Sequence, residues 1–186
     1  MADAREFDII VYGATGYTGR LVAEYLKDKS GLKWAMAGRS QAKLEQVRDL
    51  IAAPADTPLV VADASDHASL DSMCKRTKVV LTTVGPYQLY GDELVAACVA
   101  NGTDYTDLCG EPAWMRQKID QHDAAAKASG ARISLGIAPE NPLTPLQLYF
   151  PDRTRRLSSL SPDAFRQEQL WFDQRKSPFC KSKRHR

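Results

Sequence analysis

The sequence predicts an α/β protein, with a doubly wound parallel sheet over residues 1–138 and a poorly structured basic tail over 139–186. Three observations carry this expectation. Six short apolar or β-branched runs alternate with helical periodicity at roughly 25-residue spacing. Glycines punctuate these elements, three of them at the junction of the first run and the first helix. Glycine then stops at Gly136, whereas six of the ten prolines fall from Pro139 onward.

The elements follow in order. Phe7-Asp8-Ile9-Ile10-Val11-Tyr12, stopped by Gly13, reads as a buried parallel strand. From Tyr17 to Lys29 the apolar positions Leu21, Val22, Tyr25 and Leu26 recur at helical spacing, and Gly31 follows as a stop. Trp34 to Gly38 is a second strand, and Ser40 can cap a helix whose inner face is Leu44, Val47, Leu50 and Ile51. Leu59 to Ala62 gives a third strand, and residues 66–76 a short helix with Leu70, Met73 and Cys74 inward. Lys78 to Val84 is a fourth strand. A helix over 92–101 closes at Gly102, and Thr103 to Leu108 is a fifth strand. Pro112 opens a helix that runs to Ser129 with Gly130 behind it, the usual placement of proline and glycine at helix ends. Ala131 to Ala138 is the sixth strand.

Strands and helices in this alternation close, through right-handed crossovers, into an open sheet covered on both faces. Ligands of such sheets lie beyond the carboxyl ends of the strands, at the switch point beside the first strand.

Composition narrows the class. With 186 residues, 44% hydrophobic and 26% charged, the chain can bury a sizeable core, which excludes wholesale disorder. Apolar runs such as Val79-Val80-Leu81 fall far short of the roughly 20 residues that span a bilayer, so no integral membrane segment is expected. No basic and apolar leader opens the chain, and a cytoplasmic setting is the expectation. The cysteines at 74, 98, 109 and 180 form no C-x-x-C pair, so neither a disulfide framework nor a metal site is indicated. The net charge of +2 predicts no nucleic-acid partner. It conceals a division, however. Residues 139–186 hold ten Lys/Arg against five Asp/Glu, and residues 1–138 hold fifteen against eighteen.

The loop after the first strand carries the strongest signal. Gly13-Ala14-Thr15-Gly16-Tyr17-Thr18-Gly19 has the spacing G-x-x-G-x-x-G, a variant of the dinucleotide fingerprint. Gly13 allows the tight turn, Gly16 lets backbone approach a pyrophosphate, and Gly19 lets the helix pack closely on the strand. The helix N-terminus offers free N–H groups and partial positive charge to the phosphates. An ordinary glycine-rich turn is the plainer reading, but strand, motif and helix in this order favour a Rossmann-like nucleotide-binding domain.

The second loop chooses the cofactor. NAD-binding folds place an acidic residue about 20 residues past the glycines, on the ribose 2′-OH. Here Gly38-Arg39-Ser40-Gln41-Ala42-Lys43 offers no carboxylate. Arg39 can pair with a 2′-phosphate, Ser40 can donate a hydroxyl bond, and Lys43 adds positive charge one turn on. NADP(H) is expected over NAD(H), which stays possible. Ser40 as a simple N-cap beside a solvated arginine is the plainer alternative. Asp63 is placed to contact the adenine side or to cap the next helix.

The segments Asp8 to Gly19 and Ala37-Gly38-Arg39-Ser40 continue into Thr83-Val84-Gly85-Pro86-Tyr87 followed by Gly91, then Tyr105-Thr106-Asp107 followed by Gly110-Glu111. In this order, over about residues 5–133, they resemble the saccharopine-dehydrogenase-like oxidoreductases, the group that includes the mycobacterial trans-acting enoyl reductases. The resemblance implies an NADP(H)-type Rossmann domain with the Gly85-Pro86-Tyr87 turn on the nicotinamide side. It also implies that Tyr105 to Glu111 faces a substrate domain.

The likeness stops at Ile133. Family members continue with a C-G-F-D-S-x-P segment and a long second domain that shapes the substrate pocket and commonly carries the dimer contacts. Here Ser134-Leu135-Gly136-Ile137-Ala138-Pro139-Glu140-Asn141-Pro142 follows. The resemblance therefore implies a chain that lacks most of that domain, its dimer contacts and full activity. A shifted reading frame beyond codon 133 is one hypothesis for the coincidence of lost resemblance, lost glycine and reversed charge. It fails if no other frame encodes C-G-F-D-S or similar.

Other constellations are weaker. Tyr25 and Lys29 match a Y-x-x-x-K pair but fall in the first helix, with Tyr25 on its apolar face, far from where such a pair acts. His67, His122 and His185 have no partner at metal-ligand spacing, and no G-x-S-x-G elbow exists. Cys109 is a candidate thiol but fits a buried small hydrophobe better. Asp107 and Glu111 can orient a substrate or move a proton, or equally brace the loop and the following helix. No catalytic residue is assigned. In the tail, basic runs near Phe165, Trp171, Phe172 and Phe179 can meet nucleic acid or an acidic membrane. Disorder is the more ordinary reading, with Asp163 to Arg175 as a short helix. Two functions remain: the NADP(H)-binding domain of an oxidoreductase with an unknown small-molecule substrate, or a cofactor sensor or scaffold without turnover.

Overall fold

The structure, a computed structural model, describes residues 5–137. The end of the expected sixth strand, the basic tail with its short helix, and the residues Cys180 and His185 lie outside the described residues. Within them, β1 (Phe7–Tyr12), α1 (Tyr17–Leu26), β2 (Trp34–Gly38), α2 (Gln41–Leu50), β3 (Leu59–Val61) and α3 (His67–Lys75) build the first half. They are followed by β4 (Thr77–Thr82), α4 (Tyr87–Tyr90), α5 (Asp92–Ala100), β5 (Asp104–Asp107), α6 (Pro112–Ser129) and β6 (Ile133–Ser134). The six strands form one parallel sheet in the order β3-β2-β1-β4-β5-β6, the doubly wound arrangement expected.

The order reverses between β1 and β4, so their carboxyl ends open the crevice where ligands of such sheets lie. The pleat divides the core in two. Val11, Trp34 and Met36 pack with Ala23, Leu26, Leu44 and Ile51 of the α1 and α2 segments on one face. Ile10, Ala35, Val80 and Tyr105 pack on the other face with Leu70, Leu94, Val95 and Trp114, which α3, α5 and α6 supply. Strands buried on both faces explain the continuous apolar runs seen in the sequence.

Several expectations are corrected. Helix α1 ends at Leu26 rather than Lys29, and the chain turns through Gly31 at φ +79°. Its buried face is Gly19, Ala23 and Leu26, while Leu21 and Tyr25 are exposed. The cause is closeness: the helix presses on β1 through its smallest residues, which swings the larger ones outward. On α2, Leu50 is likewise exposed, while Leu44 and Ile51 are buried. The sixth strand shrinks to Ile133–Ser134 because the chain leaves the ladder at Leu135. The Gly136 N–H then donates to the Asp107 carboxylate (2.6 Å) and the Ile137 N–H to the Asp107 carbonyl (2.8 Å). The one-turn helix α4 was not expected. Pro86 before it and Gly91 behind it are the signals that mark it.

Candidate functional site

Five loops meet at the carboxyl edge of the sheet, and the glycine turn lies at their centre. The Gly13 and Ala14 N–H groups both donate to the Ala37 carbonyl of β2, at 2.9 and 3.1 Å. Gly13 sits at φ +90°, and a Cβ there would lie 2.7 Å from Val84 Cγ2. At Gly19 a Cβ would run into the Gly13 carbonyl oxygen, so the first turn of α1 lies directly on the loop. Gly16 is open by comparison, with Gly13 O at 3.4 Å as the only neighbour of its would-be Cβ. Gly16 is also the N-cap of α1. No side chain caps that helix and no acidic residue stands in its first turn, so its N-terminal amides face outward among the exposed Thr15, Tyr17 and Thr18.

The ends of β2 and β3 flank this turn. Arg39 is exposed, and Thr15 reaches Gly38 beside it, with Cγ2 3.7 Å from a Cβ built there. Ser40 caps α2, its Oγ accepting the Lys43 N–H at 3.4 Å, which leaves the hydroxyl proton available to donate. Lys43 is exposed one turn on. The Asp63 carboxylate accepts the Ser65 N–H (2.9 Å) and hydroxyl (2.7 Å), bonds that hold its pKa below the usual range, with the positive Arg39 adding a smaller pull. Asp63 is not the cap of α3. That role belongs to Asp66, which accepts from Ala68 and Ser69. Beneath them Tyr12 is buried, and burial together with the Asp63 charge pushes its hydroxyl up to about 12.

The loops after β4 and β5 form the other flank. The Thr83 N–H extends the ladder to the Tyr12 carbonyl (3.0 Å), and its Oγ1 donates to the Gly13 carbonyl (3.4 Å). Gly85 and Pro86, joined by a cis peptide bond, then lead into α4. Glu111 reaches across from the β5 loop. Its two carboxylate oxygens accept the N–H groups of Tyr87 and Gln88, each at 2.9 Å. Asp107 is buried and accepts from the Tyr105 hydroxyl (2.7 Å), the Cys109 N–H (3.0 Å) and the Gly136 N–H (2.6 Å). Burial nevertheless raises its pKa above the ordinary carboxylate value, because the desolvation outweighs those donors.

Both carboxylates thus brace backbone. Cys109 is fully buried and accepts the Glu111 N–H at 3.3 Å. Burial pushes its thiol up to about 12, which removes the thiolate a reactive cysteine needs. Tyr25 is exposed on the outer side of α1 rather than on its apolar face, with the Lys29 ammonium 4.0 Å from its ring centroid. His67 pairs with Glu93 on the surface, and His122 lies beside Lys118 in α6. Among the described residues no group of three or more His, Cys, Asp or Glu is arranged to hold a metal, and no helix is long and apolar enough to cross a membrane.

Known proteins share this sequence pattern and fold. The family profile of the saccharopine dehydrogenase NADP binding domain matches residues 9–133. The chain belongs to that family. The chain is 50% identical over 149 residues to a trans-acting enoyl reductase of Mycobacterium leprae, a match that covers 79% of the chain and 36% of the relative. It is 48% identical over 147 residues to a trans-acting enoyl reductase of Mycobacterium tuberculosis (strain ATCC 25618 / H37Rv), with 78% and 35% covered. The chain therefore spans about a third of the length of the curated relatives it matches. Among solved structures, apo histidine-tagged saccharopine dehydrogenase (L-Glu forming) from Saccharomyces cerevisiae superposes with a TM-score of 0.58 at 15% identity. That superposition covers 76% of this NADP binding domain's chain and 29% of the yeast one, and it establishes the fold.

Proposed function

We propose that the protein binds NADP(H) in preference to NAD(H) and is the cofactor-holding part of an oxidoreductase. One observation carries this reading. The outward-facing, uncapped start of α1 lies on the glycine turn beside a β2 end that bears Arg39, Ser40 and Lys43 and no carboxylate. These residues fit a phosphorylated dinucleotide. Gly13 to Gly19 would hold the pyrophosphate, with Ala14 lining the turn and the backbone around Thr15, Tyr17 and Thr18 donating to it. The Arg39 guanidinium, the Ser40 hydroxyl and the Lys43 ammonium would take the 2′-phosphate, and Asp63 would border the adenosine. Gly85 and Pro86 would border the nicotinamide.

When bound, the cofactor supplies or accepts a hydride, and the chain's own residues orient it and fix its charged groups. The relatives' names favour an enoyl substrate over the carbonyl and imine alternatives, with the substrate-shaping groups beyond residues 5–137. A sensor without turnover is the second reading. It draws support from Asp107 and Glu111, whose carboxylates are both occupied with backbone N–H groups.

Paired NADPH and NADH titrations, read by thermal shift, test the cofactor reading. Arg39→Ala is expected to weaken NADPH about 10- to 100-fold and NADH by no more than about twofold. Equal losses would refute the 2′-phosphate role. NADPH oxidation over a panel of enoyl, imine and carbonyl compounds separates enzyme from sensor, since any turnover excludes the latter.

A further inference from the structure

The Glu111 carboxylate is placed where its own helix does not use it. Glu111 is the N-cap of α6, yet it makes no side-chain cap bond to that helix, whose first position is Pro112. Both oxygens instead cross to another loop and take the first two N–H groups of α4. Those amides belong to the residues directly after Gly85-Pro86. The same loop touches the glycine turn at its other end, through Thr83 on the Gly13 carbonyl.

Glu111 is itself held. Its N–H donates to Cys109 Sγ, and the Cys109 N–H donates to Asp107, which also receives Gly136 from the segment after β6. Three strand exits are thereby linked through side chains into one brace that ends on α4. On the far side, Tyr87 stacks against Trp114 with ring centroids 5.7 Å apart, and Gly91 leaves room for that indole.

We propose that Glu111 is a positioning residue for the nicotinamide half of the cofactor. By clamping the Tyr87 and Gln88 amides it holds the Gly85-Pro86 turn at the spacing from Gly13 that the dinucleotide requires. The proposal rests on the NADP(H) reading above. In a doubly wound sheet the dinucleotide straddles the crevice. With Arg39 and Ser40 marking the β2 side as the adenosine end, the β4 side receives the nicotinamide. A carboxylate that accepts two backbone N–H groups makes stronger, more directional bonds than a neutral group, so its loss should loosen this turn and leave the adenosine end intact.

The test compares NADPH, NADH and adenosine 2′,5′-bisphosphate on the full chain, by calorimetry, for wild type, Glu111→Ala and Glu111→Gln. The bisphosphate carries the adenosine end alone. Glu111→Ala is expected to weaken NADPH and NADH alike, about tenfold, and to leave the bisphosphate within about twofold of wild type. Glu111→Gln, which keeps one acceptor oxygen, is expected to fall between. Retained bisphosphate binding also shows that the variants are folded. Wild-type NADPH affinity in Glu111→Ala would overturn the proposal, as would an equal loss of NADPH and bisphosphate, which marks general destabilisation. If the wild-type chain binds neither NADPH nor the bisphosphate, the cofactor reading itself falls and the positioning role falls with it.

Discussion

The two halves of the sheet hold their ligand-edge loops by different means. In the β1–β3 half the glycine turn is fixed chiefly by backbone, through Gly13 and Ala14 on the Ala37 carbonyl and Gly19 pressed on Gly13, with the Thr83 hydroxyl added from the β4 loop. That half leaves its charged side chains, Arg39 and Lys43, exposed and available. In the β4–β6 half the loops are tied by side chains that reach across them: Asp107, Glu111, Tyr105 and, behind them, Trp114 donating to Asp92 at 2.6 Å. A buried lysine, Lys118, also pairs with Asp92 there (2.8 Å). One half presents groups to a ligand, and the other commits its groups to its own architecture. Under the proposed cofactor reading, the first would grip a constant phosphate and the second would fix the geometry of a reacting ring.

The sharpest way to break this contrast is Asp107→Ala. Three donors would lose their acceptor in a buried site: the Tyr105 hydroxyl and the N–H groups of Cys109 and Gly136. Leaving such donors unpaired predicts a loss of about 4 kcal/mol in urea unfolding. A loss below about 1 kcal/mol would mean that water replaces the carboxylate and that the brace is dispensable. Next in size is Gly19→Ala in the other half, where the new methyl meets backbone that cannot rotate away. Overpacking there predicts about 3 kcal/mol of destabilisation together with loss of NADPH binding. Gly16→Ala sharpens the comparison, since the space at that position admits a methyl group. It should leave the unfolding midpoint nearly unchanged and still weaken NADPH, because the methyl would occupy the path proposed for the pyrophosphate.

This contrast also explains what the sequence revealed. The β1–β3 half was legible because its devices are local. Glycine spacing, a strand before it, a helix after it and a β2 end with Arg39 and Lys43 but no carboxylate all lie within the run from Phe7 to Lys43. The β4–β6 half was only partly legible. Its strands follow from apolar or β-branched runs, but Glu111 finds Tyr87 and Gln88 across more than twenty residues, and Asp107 finds Gly136 across 29. No periodicity encodes such pairings. The outward turn of Leu21 and Tyr25 has the same root. Helical spacing showed a stripe of apolar residues, but which side faces the sheet depends on how closely Gly19 lets α1 approach β1.

The smallest expected effect concerns pH, and it too is confined to one half. In the first half His67 lies exposed at the start of α3 against Glu93, whereas α6 carries the less exposed His122 near Lys118 and Asp92. Burial, and then the neighbouring Lys118 ammonium, lower the His122 pKa from its ordinary 6.5, and the Asp92 charge only partly opposes this. A lowered histidine favours its neutral form in the folded state. Its contribution is therefore complete above about 6.5 and is lost as pH falls toward the lower folded value. Carboxylates such as Glu6 and Asp8, whose pKa values are lowered by Arg76 and Lys78, lose their contributions only at more acidic pH, so the two effects separate. Between pH 7.5 and 5.5 the melting temperature should fall slightly through His122. His122→Gln should flatten that part of the profile without changing NADPH affinity at pH 7.5. A profile equally steep in the variant would place the titrating group elsewhere and remove pH as a distinction between the two halves.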